Sequence, residues 1–207
     1  IREDIHPSKI FITGNPTFEV LDAFQNNIES SSIMKKLNLD KNEFILVTAH
    51  RKENVDDQFS FKCILEGLGL VYKKFKKEII YPMHPRTQSK LDNIDIPDGI
   101  RVMNPLGYYD FNKLTKNAFC LVSDSGTSAE EGLYYKVPCV SVRQTTERPE
   151  TVEAGAHIIA GINPQNIVDS VETIVNNKWI ARYDLNGDFE PSTIVINALR
   201  SQMNNYF

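Results

Sequence analysis

Residues 122–150, VSDSGTSAEEGLYYKVPCVSVRQTTERPE, constrain the fold of this chain more than any other stretch. An apolar, β-prone run, Phe119-Cys-Leu-Val122, is short enough to be a buried strand. A turn of small polar residues, Ser123 to Ser128, follows it, then a helical segment, Ala129 to Tyr135, and a second apolar strand, Pro138 to Val142. Strand, turn, helix and strand in that order make a βαβ unit. Such a unit implies an α/β fold, a parallel sheet with flanking helices.

The turn carries chemistry. A helix N-terminus presents unpaired N–H groups and a partial positive charge, and small residues there let an anion come close. Ser125, Gly126 and Thr127 are therefore candidates for holding a phosphate. Glu130 and Glu131, one turn further in, are placed to accept hydrogen bonds from sugar hydroxyls. The same small residues serve equally well as a plain helix N-cap. Beyond the second strand runs a charged loop, Arg143 to Glu150, with Arg143, Thr146 and Arg148 as candidates. It leaves the C-terminal end of a strand, where open α/β sheets hold their ligands.

Other strands end in similar groups. Glu43 to His50 reads as a buried strand closing on His50, Arg51, Lys52, Glu53 and Asn54, either ligands on the same rim or a capping cluster for the next helix. Glu78 to Met83 is followed by His84, Pro85 and Arg86, with Pro85 suited to a helix start. After a short strand near Arg101, a loop carrying Leu106, Tyr108, Tyr109 and Phe111 offers an apolar slot for a flat base, though its aromatics also suit helix packing.

The remaining segments read as scaffold. Gln58 to Phe75 is a long helix with Phe59, Cys63, Leu65, Leu68 and Tyr72 as core positions. Gly67 and Gly69, at roughly 1 kcal/mol each relative to Ala, need close packing or a bend to explain them. Lys9 to Thr13 looks like a strand, and Thr17 to Ile28 like a helix turning Phe18, Leu21 and Phe24 or Gln25 inward. Ala156 to Ala160 is a short strand in which His157 is structural; a helix runs from Asn163 to Asn176, Asn186-Gly187 signals a turn, and Pro191 to Phe207 is a closing helix.

Composition narrows the classes. With 23 basic against 27 acidic side chains, a net charge of −4, general nucleic-acid binding is excluded, and the run Lys73 to Lys77 is the wet end of a helix. Three cysteines lie far apart in apolar segments without metal-ligand spacing, which fits a reducing, cytoplasmic setting. No apolar run reaches membrane-spanning length.

SDSG…EE, R-x-TTERPE (Arg143 to Glu150) and VEAG (Val152 to Gly155) occur together and in order, and by this combination the chain resembles the non-hydrolysing UDP-N-acetylglucosamine 2-epimerase family from about Lys9 onward. The resemblance implies an α/β, Rossmann-like parallel sheet with flanking helices, the second domain of a two-domain glycosyltransferase-B-type fold. Residues 1–207 would be the UDP-binding domain, 1–16 the crossing segment and 191–207 the closing helix, with the first domain outside the chain. It implies inversion at C2 of a UDP-N-acetylhexosamine by elimination and re-addition of UDP, in the service of cell-surface polysaccharide synthesis. No cofactor or metal is needed, and a homodimer is expected. His50 takes a catalytic role, and a residue near Leu106 meets uracil. Arg51, Glu53, Asn54, His84, Arg86, Phe111, Ser125, Gly126, Thr127, Glu131, Arg143, Thr146 and Arg148 line the substrate. The acid and base carboxylates belong to the other domain, so this chain alone binds UDP without turnover. Thr127 in place of a second Gly, and the string HPRT, depart from the better-known enzymes and leave the sugar open between UDP-N-acetylglucosamine and a 6-deoxy relative. A B-type glycosyltransferase and a stand-alone nucleotide-sugar binding module are the competing readings.

Overall fold

The computed structural model describes residues 4–91, 94–177 and 190–203, without the side chains of Arg86 and Met203. After a 3₁₀ turn at Pro7–Lys9 come α1 (Pro16–Ala23), α2 (Gln25–Ser30), α3 (Ile33–Leu37), β1 (Phe44–Thr48), α4 (Lys52–Val55) and α5 (Gln58–Phe75). There follow β2 (Glu78–Pro82), α6 (Pro85–Gln88), β3 (Ile100–Met103), α7 (Tyr108–Asn117) and β4 (Cys120–Ser123). The chain continues through α8 (Gly126–Tyr135), β5 (Cys139–Ser141), α9 (Pro149–Glu153), β6 (His157–Ile159), α10 (Pro164–Asn176) and α11 (Pro191–Met203). Two compact units result. One joins the residues up to Phe24 with α11; the other begins at Gln25 and holds the sheet.

Among the described residues the sheet has six strands, in the order β3-β2-β1-β4-β5-β6, and every pairing is parallel. The central strands are apolar on both faces because both faces are covered. Alternation then sends Ile45, Val47, Cys120, Val122 and Val140 into one core with α5 and α10. Phe44, Leu46, Leu121 and Cys139 enter the other, with α3, α7 and α8. This is a doubly wound, Rossmann-like α/β fold, as the βαβ stretch predicts. Each fully buried Leu, Ile, Val or Phe contributes about 1.5–3 kcal/mol.

The span of α5 is as read, but its inward face is not. Phe61, Ile64, Leu65, Leu68 and Val71 are buried, whereas Phe59 is 71% exposed and Cys63 and Tyr72 are only half-buried. Phe59 stands about 200° around the helix from Phe61. Both faces carry apolar residues there, so periodicity alone chose the wrong one. Gly67 and Gly69 reflect close packing: a Cβ on Gly67 would meet Ile167 Cδ1 at 2.7 Å, and one on Gly69 would meet Pro97 Cβ at 2.7 Å. Asp57 caps the helix by accepting from the Ser60 N–H at 2.9 Å.

Three other expectations are corrected. Lys9 to Thr13 forms no strand: Lys9 ends the 3₁₀ turn and Ile12 is 93% exposed. A β-prone run becomes a strand only where another strand pairs with it, and no described strand pairs with this one. The helix read over Thr17 to Ile28 breaks at Phe24, which is exposed, while Phe18 and Leu21 are buried. Tyr108, Tyr109 and Phe111 belong to the first turn of α7 rather than to a loop. In the terminal unit, Glu19 on α1 accepts from the Ser192 N–H at 3.0 Å, tying it to the start of α11. Asn186-Gly187 and residues 204–207 lie outside the described residues.

The α5 correction is testable. Phe61→Ala is expected to destabilise the protein by about 3–5 kcal/mol, and Phe59→Ala by less than about 0.5 kcal/mol, in urea denaturation.

Candidate functional site

The strand order reverses direction between β1 and β4, so the connections leaving their C-terminal ends diverge and a crevice opens there. Asp124, the residue after β4, bridges it. Its N–H donates to Thr48 O at 3.0 Å, continuing the β1–β4 ladder by one bond. Its Oδ2 accepts from the His50 N–H at 2.9 Å, the Arg51 N–H at 2.8 Å and Asn54 Nδ2 at 3.1 Å. Asp124 is fully buried.

Asp124 was not among the sequence candidates. Its signal was a carboxylate immediately past a buried parallel strand, where only neighbouring N–H groups can satisfy it. The same bonds revise Asn54. Its side chain is buried, and its Nδ2 donates to Asp124 and to Val142 O at 3.0 Å, so Asn54 acts as a strut rather than a ligand contact.

On the other side of the crevice α8 begins. Ser125 is its N-cap residue, yet the Ser125 side chain makes no capping bond, and the Ser125 N–H turns back to Ser123 Oγ at 2.9 Å. The plain N-cap reading therefore loses its capping bond. A Cβ on Gly126 would touch only Arg148 Cγ, at 3.6 Å. Thr127 is exposed on the first turn.

Next to this junction is a cleft of about 440 Å³ lined by Thr48, His50, Pro82, His84, Thr87, Pro105, Leu106 and Phe111. The fold thus brings His50, His84, Leu106 and Phe111 together, as read from sequence. Arg86 falls in α6, but its side chain is outside the described residues.

The cationic groups are already paired. Arg143 forks onto Glu147 through bonds of 2.7 and 2.6 Å, Arg148 Nε donates to Glu130 Oε1 at 2.5 Å, and Arg51 lies 3.5 Å from Glu53. The Arg143 guanidinium holds the Glu147 carboxyl down at about 2. Thr146 Oγ1 accepts from the Arg148 N–H at 3.0 Å and so shapes the loop. The 143–150 segment is not loop throughout, since α9 starts at Pro149. Thr151 on α9 meets His157 Nδ1 at 2.9 Å, and His157 Nε2 meets Ser141 Oγ at 2.7 Å. His157 is buried and structural, as expected, and burial with nearby Arg143 lowers its pKa to about 4.

Glu131 is the unusual acid. Burial raises its pKa to about 7, against the bond that Asn112 Nδ2 donates at 3.3 Å and with help from the charge of Glu130. Asn112, missed by the sequence reading, is fully buried; its Nδ2 also donates to Tyr108 O at 3.2 Å, and its Oδ1 has no partner. Among the described residues no His, Cys, Asp and Glu cluster is placed to hold a metal ion. No described helix is long and apolar enough to cross a membrane.

Residues 1–190 match the family model for UDP-N-acetylglucosamine 2-epimerase. The chain belongs to this family. A UDP-N-acetylglucosamine 2-epimerase of Methanocaldococcus jannaschii is 37% identical over 188 residues, covering 86% of this chain and 51% of its own length. A crystal structure of the UDP-GlcNAc 2-epimerase of M. jannaschii, in complex with UDP-GlcNAc and UDP, superposes with a TM-score of 0.86 at 33% identity, over 96% of this chain and 57% of that one. A UDP-2,3-diacetamido-2,3-dideoxy-D-glucuronate 2-epimerase of Pseudomonas aeruginosa is 32% identical over 63% of this chain and 36% of its own length. The chain spans about half the length of the curated 2-epimerases it matches.

The raised pKa of Glu131 gives a signed expectation. The folded protein keeps this proton up to about 7, whereas the unfolded chain releases it near 4.5. Its contribution is therefore complete below 4.5 and is lost as pH rises through 7. His157 opposes it, since its lowered pKa of about 4 makes stability fall as pH drops from 6.5. Glu131→Gln isolates the first effect. Relative to the parent protein, the variant should gain on the order of 3 kcal/mol between acid pH and about pH 8, measured by denaturant melts across pH; a pH-independent difference would refute the assignment.

Proposed function

We propose that this chain holds the nucleotide diphosphate of a UDP-N-acetylhexosamine during 2-epimerisation, with UDP-N-acetylglucosamine as the substrate. One observation carries the reading. The Asp124 bridge sets His50 and Arg51 beside the uncapped start of α8, and the cleft at that junction runs to Leu106 and Phe111. Uracil fits the Leu106–Phe111 end, the ribose diol faces Glu131, and the diphosphate lies at Ser125 and Gly126 with the exposed Thr127 at its edge.

In the reaction a base takes the proton from C2 while the C1–O bond breaks, and its electron pair leaves with UDP. Re-addition of UDP to the resulting double bond, with a proton delivered to the other face of C2, gives the epimer. The α8 amides and His50 meet the charge that develops on the departing diphosphate. Arg51 stands at the same place, Arg143 joins once it exchanges the exposed Glu147 for a phosphate oxygen, and Arg148, held by the buried Glu130, walls the site beside Gly126. His84 comes from the β2 end of the cleft, and Arg86 follows it in α6. Glu130 and Glu147 are bound to arginines and Glu131 serves the ribose, so the C2 proton transfers are assigned to none of them. Glu53, exposed and facing Arg51, fits the rim of the site.

The 6-deoxy sugar remains the second reading because the HPRT string and Thr127 both depart from the better-known pattern. Three free thiols, two of them buried in strands, fit a cytoplasmic setting, and a homodimer is carried over from the family as an expectation.

Isothermal titration with UDP tests the assignment. One molecule should bind per chain, and Gly126→Val, whose Cβ would make only an ordinary 3.6 Å contact with Arg148 Cγ, should weaken it at least about ten-fold, or 1.4 kcal/mol, with an unchanged melting temperature. Absence of heat with UDP, or equal affinity in the variant, would sink the reading.

A further inference from the structure

The Asp124 bridge leaves one oxygen over. Oδ2 accepts from His50 N, Arg51 N and Asn54 Nδ2, whereas Oδ1 is buried and has no hydrogen-bond partner. A buried carboxylate oxygen without a donor is costly, so its surroundings show where a donor belongs. The group facing it is the His50 ring, whose Nδ1 lies 3.7 Å from Asp124 Oδ1 and 3.2 Å from Thr48 Oγ1.

Two proton arrangements suit that geometry. In one, the Thr48 hydroxyl donates to a bare Nδ1 and the ring proton sits on Nε2. In the other, Nδ1 carries the proton and donates it to Asp124. Only the second gives Oδ1 a partner, and it is a charge-assisted bond, the stronger kind. A bond of about 2.8 Å needs the ring to move toward Asp124, and the side chain that must move is 55% exposed. The oxygen, by contrast, is held still by the three bonds on its twin.

We propose that Asp124 is a positioning residue for His50: its Oδ1 takes the imidazole Nδ1–H, so the proton that comes and goes is the one on Nε2. That nitrogen lies on the far side of the ring from Thr48 and Asp124, and the ring itself lines the cleft. Only the use made of Nε2 rests on the nucleotide-sugar reading: protonated, it donates to a diphosphate oxygen, and bare, it accepts a proton. The orientation of the ring rests on the fold alone.

The tautomer can be observed directly. The chain has four histidines, so long-range ¹H–¹⁵N correlation spectra are simple, and His50→Gln identifies the signals of interest. At mildly alkaline pH the Nδ1–H form should be the major species. Asp124→Asn is the matched variant, because its side-chain oxygen can keep the three N–H donors while its NH₂ cannot accept from Nδ1. In it the Nδ1–H form should fall from the major to the minor species. A dominant Nε2–H tautomer in the parent protein overturns the proposal, and that measurement requires no substitution at Asp124. An unchanged tautomer in Asp124→Asn overturns it as well. Titrating UDP into the same sample separates the two readings: an Nδ1–H ring whose signals ignore UDP upholds the pairing and removes the nucleotide.

Discussion

The buried carboxylate of Asp124 is the constraint on which the site depends. A charge taken out of water is tolerated only when it is well hydrogen-bonded. Here the available donors are two backbone amides from the loop after β1 and one side-chain amide from α4. Each bond to an ionised acceptor contributes about 1.5–3 kcal/mol, enough together to decide the conformation of a short loop. Satisfying Asp124 therefore orders the chain from His50 to Asn54, and that ordering places His50 and Arg51 at the crevice. The switch in strand order opens the crevice; Asp124 gives it a defined wall.

The arginine pairs differ in how readily each could turn toward a phosphate. Glu147, the partner of Arg143, has a side chain 58% exposed, so when Arg143 lets go the carboxylate returns to water and little is lost. Glu130, the partner of Arg148, is buried, so parting it from the guanidinium costs more than parting the exposed Glu147 from Arg143. Arg143 is thus the arginine free to change partners, and Arg148 is better placed as a fixed wall beside Gly126. The sequence offers both as the same kind of candidate. Their difference lies in the exposure of their partners, which sequence does not carry.

The parts of the fold that were legible are those written in local chemistry. The strand–turn–helix–strand stretch, the span of α5 and the start of α10 after Asn163, whose side chain accepts from Gln165 N and Asn166 N, all follow from periodicity and caps. What could not be read depends on distant neighbours. Ile10 to Thr13 has strand propensity but no described strand paired with it, and Phe59 and Phe61 compete until α10 selects the face of α5. Residues whose importance lies in what they hold, such as Asp124 and Asn112, look unremarkable in a string. Candidates defined by a chemical type at a strand end fared better: the cleft gathers His50, His84, Leu106 and Phe111 from three separate connections.

Glu131 shows how a site can be recognised by a local conflict. Among the described residues the ionisable groups that act on it are Glu130, Tyr108, Tyr135 and Cys139, none of them cationic. Asn112 Nδ2 donates to it, and the Oδ1 of Asn112 is itself left buried and unpartnered. Leucine or methionine in that position would remove the conflict and let α7 and α8 pack without it. A carboxylate kept where burial opposes its charge makes sense when an outside group supplies the missing donors, and a ribose diol offers two. Local inconsistency of this kind clusters at functional sites. Together with the uncapped start of α8, it ties the nucleotide reading to the energetics of this chain as well as to its resemblance to other proteins.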